Sequence, residues 1–103
     1  MRNKYKYIAI TKTWRDKING NTYFSSNVEA TNEDRNYLIP FQYGYGNQSE
    51  HTICETLKIN RDDIKFIKIE NCLKKEVKEH GKGKAEQFYP NAENNFQGYY
   101  LLD

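Results

Sequence analysis

The segment Tyr5-Lys6-Tyr7-Ile8-Ala9-Ile10-Thr11-Lys12-Thr13-Trp14-Arg15-Asp16-Lys17-Ile18-Asn19-Gly20-Asn21-Thr22-Tyr23-Phe24-Ser25-Ser26-Asn27-Val28-Glu29-Ala30 decides the fold. Two runs rich in β-branched and aromatic residues flank the turn signal Ile18-Asn19-Gly20, so the segment reads as a β-hairpin. Loop length then fixes which side chains share a face, because a one-residue slip sends a whole strand's side chains to the other side. A two-residue Asn-Gly loop sets Ile10 against Glu29 and Trp14 against Ser25. A three-residue loop, with Gly20 left-handed in a G1 bulge, sets Trp14 against Phe24, Ile10 against Val28 and Ile8 against Ala30. The second register gathers the apolar residues and is the one expected. It leaves Thr11, Thr13, Arg15, Tyr23, Ser25 and Asn27 on a wet face, and the dry face is broken only where Lys12 meets Ser26.

Outward from the hairpin, residues 31–36 are polar and turn-like. Tyr37-Leu38-Ile39-Pro40-Phe41 is a short extended run that Pro40 keeps off a central strand. Gln42-Tyr43-Gly44-Tyr45-Gly46 is an aromatic loop. Asn47 with Glu50 has the spacing of a capping box, and Ile53, Cys54 and Leu57 fall on one helical face, which predicts a helix over about 48–58. Asn60-Arg61-Asp62-Asp63 is a turn, and Ile64-Lys65-Phe66-Ile67-Lys68-Ile69, apolar on both faces, is the expected central strand. Two patterns fit residues 71–80: a helical stripe of Leu73, Val77 and His80 closed by Gly81, or a twisted strand. A strand end followed by a short helical turn is the expectation. The tail, with Gly81, Gly83 and Pro90, reads as loop as far as Phe96, and Tyr99-Tyr100-Leu101-Leu102 as a final short strand.

The chain has 103 residues, the size of one domain, and no segment suggests a second core. Mean hydropathy is low, at -1.02, yet 15% of residues are aromatic. Rings that bury roughly 150–250 Å² each build a core where Leu and Val are scarce, and disordered chains lack them. No apolar run approaches the roughly 20 residues of a membrane span, and Met1-Arg2-Asn3-Lys4-Tyr5-Lys6 has no signal-peptide core. A cytoplasmic protein is expected, with Cys54 and Cys72 as reduced thiols and no membrane partner. A formal charge of +2 selects no partner. The architecture expected is a single α+β domain over 1–103: a small, mainly antiparallel sheet of three to five strands with one helix packed on a face.

Two segments, Thr11-Lys12-Thr13-Trp14-Arg15-Asp16-Lys17-Ile18-Asn19-Gly20-Asn21-Thr22-Tyr23 and Pro40-Phe41-Gln42-Tyr43-Gly44-Tyr45-Gly46, resemble a family of small proteins carried by bacteriophages and mobile elements. The similarity covers roughly the first half of the chain and the helix that follows. It implies a non-enzymatic protein that binds a host or mobile-element protein, as an anti-defence inhibitor of the anti-CRISPR kind does, in the host cytoplasm. The Asn/Lys/Ile-rich composition suits a low-GC host.

Competing chemistry is limited. His51, Cys54, Cys72 and His80 are the candidate metal ligands, but their spacing is not that of the zinc modules, and Cys54 reads as a core residue of the helix. A nucleophilic cysteine needs a base, which His51 does not supply to an inward-pointing Cys54. No catalytic residue, metal or cofactor is assigned. Lys74, Lys75, Lys78, Lys82 and Lys84 with exposed Tyr rings would serve a nucleotide or single-stranded nucleic acid, although Glu76, Glu79 and Glu86 interrupt the run. Lys12 and Arg15 flank Trp14 on the hairpin, and Arg and Trp are enriched in binding hot spots. The two glycines free the loop to project its rings. The partner-binding residues expected are therefore Lys12, Arg15, Tyr43 and Tyr45, against the competing expectation that both Tyr rings pack on the sheet.

Overall fold

In the computed structural model, which describes the backbone of residues 4–91 and 94–102 and the side chains of 4–90 and 98–102, the hairpin turn is built around Asp16. Its carboxylate accepts from the backbone N–H of Ile18 (3.0 Å) and Asn19 (3.3 Å) and from Asn19 Nδ2 (2.8 Å). These bonds hold the Asp16 carboxyl below the usual carboxylate range, the Asn19 side-chain bond first among them. Gly20, at φ 74°, donates its N–H to the Asp16 carbonyl at 2.7 Å. The connection between β1 (Tyr7–Asp16) and β2 (Asn21–Ala30) is thus four residues long, with Asp16 facing Asn21.

This overturns the expected register. Trp14 faces Tyr23, Thr13 faces Phe24 and Ala9 faces Val28. The extra loop residue slips β2 by one, so Phe24 and Trp14 lie on opposite faces. The turn chemistry of Asp16 outweighs the gain from collecting apolar side chains because neither face of the sheet is left wet. Thr11, Thr13 and Ser25, expected in water, are buried, and Thr11 Oγ1 and Ser26 Oγ hydrogen-bond at 2.7 Å.

Two helices cover the two faces where one was expected. The chain continues through β3 (Asn36–Tyr43), α1 (Gln48–Leu57), β4 (Ile64–Ile69), α2 (Lys74–His80), β5 (Phe88–Asn91) and β6 (Asn94–Leu102). α1 places Ile53 against Ala9, Phe24, Val28, Ile39 and Ile64, the buried cluster, with Cys54 and Leu57 packed beside it. α2 lies on the opposite side, where Ser25 Oγ donates to the Val77 carbonyl at 2.5 Å and a His80 ring nitrogen meets the Ile10 carbonyl at 2.9 Å. Of residues 71–80, where a strand end and a short helical turn were expected, Lys74–His80 form a helix ending at Gly81, and 71–73 form no strand, with Leu73 exposed rather than on the buried stripe.

The sheet has six strands in the order β4-β1-β2-β3-β6-β5, antiparallel except for the parallel pair β1 and β4. β4, expected at the centre, is an edge, and its Ile67 and Ile69 are part-exposed. Pro40 is accommodated by a register shift: Ser26 faces Ile39 but Phe24 faces Gln42, so Pro40 and Phe41 together oppose Ser25. The tail forms a hairpin, β5 and β6, where mostly loop was expected; the side chain of Phe96 lies outside the described residues. No helix among the described residues is long and apolar enough to cross a membrane.

Candidate functional site

Alternation along β1 divides the end of the hairpin between two faces. On the α2 face the last even position of β1, Trp14, and Tyr23 opposite it carry aromatic rings, which Phe41 and Tyr43 of β3 continue. Trp14 stacks on Tyr23 with centroids 5.6 Å apart, and Tyr23 lies parallel to Phe41 at 5.1 Å and 5°. Tyr43 meets Tyr23 edge-on at 5.9 Å, and Tyr45 meets Tyr43 edge-on at 6.3 Å. The result is a continuous aromatic strip running off the end of β3.

α2 closes one side of this strip with cations. Lys74 Nζ lies 5.1 Å above the Trp14 ring and Lys78 Nζ 5.5 Å above Phe41. Lys12 Nζ pairs with Glu76 at 3.1 Å, and that bond holds the Glu76 carboxyl below its ordinary value. Lys12 therefore ties α2 to the sheet.

The strip grows more exposed toward its end. Trp14, Tyr23 and Phe41 are half-buried, whereas Tyr43 is 54% and Tyr45 68% exposed, so neither of these rings is packed into the core. Gly46 takes φ 62°, a conformation that L side chains rarely adopt. Gly44 has ordinary φ but no room: a Cβ there would stand 2.7 Å from Phe24 Cε1 and 2.8 Å from Gln48 Cγ. One glycine turns the loop, and the other lets it sit on the core.

On the α1 face, the odd positions of β1 lead to a cavity of about 230 Å³ lined by Thr13, Arg15, Tyr45, Ser49, Lys68 and Glu70, with Phe24 and Gly44 beneath. Arg15 thus shares a site with Tyr45, while Lys12 is on the other side of the sheet. Tyr45 is the residue common to both patches. Thr13, Ser49 and Lys68 were not legible as site residues, since Ser49 and Lys68 come from α1 and β4. Phe41 did carry a signal, being an aromatic residue two positions before Tyr43, whereas Tyr23 did not, because the expected register set Phe24 opposite Trp14.

The four candidate metal ligands do not converge. His51 is exposed and pairs with Glu55, and Cys54 packs on the α1 face, where burial pushes its thiol pKa up. His80 belongs to the α2 face, and the Cys72 N–H donates to the Thr13 carbonyl. No cluster of three or more metal-ligating side chains occurs among the described residues. Comparisons with family models, curated proteins and solved structures return no match to this chain.

Proposed function

We propose that this is a non-enzymatic binding protein of the bacteriophage or mobile-element type, which docks the aromatic strip onto a protein of its host and disables it, as an anti-defence inhibitor does. The observation that carries the reading is the pair Tyr43 and Tyr45, in mutual contact and exposed, at the end of a strip whose remaining rings are wedged together. Tyr presents a large area on few rotatable bonds, and Tyr and Trp dominate interface hot spots. The stack behind the two rings fixes their positions before binding, which lowers the ordering cost of association. Arg15, at the other side of Tyr45, adds a planar donor fork at the rim. Lys12 acts through its pair with Glu76, by setting α2 against the strip.

A second reading, a single-stranded nucleic-acid binder, draws on Lys74 and Lys78 over the rings, since cations beside stacking platforms suit bases joined by phosphates. Both readings are tested by capture from a host lysate with the parent chain and with Tyr43→Ala and Tyr45→Ala, followed by mass spectrometry and nuclease treatment. Recovery of one host protein in stoichiometric amount, lost in variants that melt like the parent, supports the protein-binding reading. Nuclease-sensitive recovery with steeply salt-dependent affinity supports the second. Equal recovery by parent and variants removes the strip from the interface.

A further inference from the structure

The cavity on the α1 face has features that the aromatic strip does not explain. Ser49 and Thr13 line it and are only 4% and 7% exposed, and neither hydroxyl bonds another described residue. Both side chains are more than nine-tenths buried and line the cavity, so a polar ligand seated there would meet two hydroxyls that no other described residue engages. α1 begins at this cavity without a cap. Asn47 makes no side-chain cap bond, and Glu50, the other half of the expected capping box, pairs with Arg61 instead.

In that first turn the Gln48 N–H reaches the Tyr45 carbonyl and the His51 N–H the Asn47 carbonyl. The amides of Ser49 and Glu50 have no such backbone acceptor among the described residues. Arg15 stands at the cavity in no ion pair among the described residues, and Lys68 Nζ, bonded to the Gly46 carbonyl at 2.8 Å, brings a second cation to it. Among the described residues Glu70 is the one carboxylate in the lining, so two cations face one anion there.

We propose that this cavity binds the phosphate group of a small phosphorylated ligand, held by Arg15 and Lys68, the Ser49 and Thr13 hydroxyls and the open first turn of α1. Free amides, the positive end of the helix and a guanidinium fork are the donors a tetrahedral oxyanion needs; among the described residues the Ser49 and Glu50 amides have no backbone acceptor and Arg15 has no ion pair, while Lys68 is shared with the Gly46 carbonyl. The cavity, at about 230 Å³, is smaller than the roughly 300–1,000 Å³ of drug-sized ligand sites, so it takes the phosphate and little more. The remainder of the ligand lies outside, along the exposed Tyr45 ring. Free inorganic phosphate and a nucleoside monophosphate share this chemistry. Glu70 opposes the bound anion and keeps affinity moderate.

The test is thermal melting and calorimetry of the full chain with sodium phosphate, against sodium chloride at equal ionic strength, and with adenosine 5′-monophosphate against adenosine. A ligand that binds only the folded chain raises Tm in a saturable, concentration-dependent way. Phosphate is expected to do so and chloride not. Arg15→Gln and Ser49→Ala, each checked for parental melting without ligand, should weaken binding at least tenfold, and Glu70→Gln should tighten it. Tighter binding of the monophosphate than of phosphate, reduced by Tyr45→Ala, identifies a nucleotide as the ligand; equal binding identifies free phosphate. No saturable rise over chloride, unchanged affinity in Arg15→Gln, or adenosine binding as well as its monophosphate overturns the proposal.

Discussion

Truncating Trp14 together with Tyr23, its partner in the structure, or with Phe24, the partner expected from the sequence, distinguishes the observed register from the slipped one. In the structure Trp14 stacks on Tyr23 at 5.6 Å, while Phe24 belongs to the buried cluster on the other face. Aromatic pairs in this geometry contribute about 0.5–1.5 kcal/mol beyond the area they bury, and that is the coupling expected between Trp14→Ala and Tyr23→Ala. Side chains with no shared contact add to within roughly 0.3–0.5 kcal/mol, so Trp14→Ala and Phe24→Leu should be nearly independent. Leucine at 24 keeps the core occupied, so the double variant stays folded. Trp14→Ala alone should cost less than the about 3–5 kcal/mol of a fully buried ring, because Trp14 is half-buried. The assay is urea unfolding followed by circular dichroism, since every variant carrying Trp14→Ala lacks the chain's single Trp. A coupling of 1 kcal/mol or more between Trp14 and Phe24, with none between Trp14 and Tyr23, would refute the register and the division of the site between two faces.

Gly81→Ala would place a Cβ 2.7 Å from both the Ile39 carbonyl oxygen and Ser25 Cβ. Crowding of this kind costs about 1–3 kcal/mol, and each kcal/mol lowers Tm by roughly 4–8 °C in a domain of this size; unchanged melting would mean that α2 does not end against the sheet there. The Asp16 carboxyl has its pKa depressed on folding, so its contribution is present above the ordinary carboxylate value and is lost as pH falls through the lower folded one. The stability gap between the parent and Asp16→Asn should therefore hold from neutral pH down to about 4 and close in stronger acid; a gap that persists at pH 2 would separate the turn from this charge. Burial raises the Cys54 pKa and keeps it a thiol, so Cys54 in a Cys72→Ser variant should react with iodoacetamide at pH 8 more slowly than in the urea-unfolded chain. Equal rates would remove Cys54 from the packed side of α1.

What was legible in the sequence is what neighbouring residues determine. The helix over residues 48–57 follows from the spacing of Ile53, Cys54 and Leu57, and the two hairpin strands follow from their β-branched content. The register did not follow, because the loop depends on a side chain, Asp16, that counts as part of the strand until its carboxylate is seen to close the turn. Polar residues misled for a related reason. Thr11, Thr13 and Ser25 alternate like a solvated face, but with helices on both sides the three residues are buried; the Thr11 and Ser25 hydroxyls find protein partners, and Thr13 lines the cavity. β4 looked central because it is apolar on both faces, a composition that an edge strand also shows when Ile67 and Ile69 remain part-exposed. Of the candidate site, the Tyr43 and Tyr45 pair could be read from the loop, whereas the cavity could not, because α1, β1 and β4 meet there only through the parallel pairing of β1 with β4.

That pairing and the Asp16 turn give β1 a double role. Its last residues alternate Lys12, Thr13, Trp14, Arg15, and the even pair builds the strip while the odd pair lines the cavity. A slip of β2 by one residue would leave β1 in place but bring Phe24 to the aromatic face and send Tyr23 beneath α1, and both patches would be lost together. Turn formation at Asp16 is therefore a condition for the two patches as much as for stability. Variants that loosen the turn should weaken partner capture and phosphate binding in parallel, although Asp16 touches neither the strip's exposed end nor the cavity. Tyr45, the one side chain common to both patches, provides the route by which an occupied cavity would alter the strip. A phosphate-bearing ligand lying along its ring takes up surface that the protein partner would use, so the two ligands should compete in the parent chain. Tyr45→Phe, which keeps the ring, should preserve that competition, and Tyr45→Ala should weaken both ligands and abolish it.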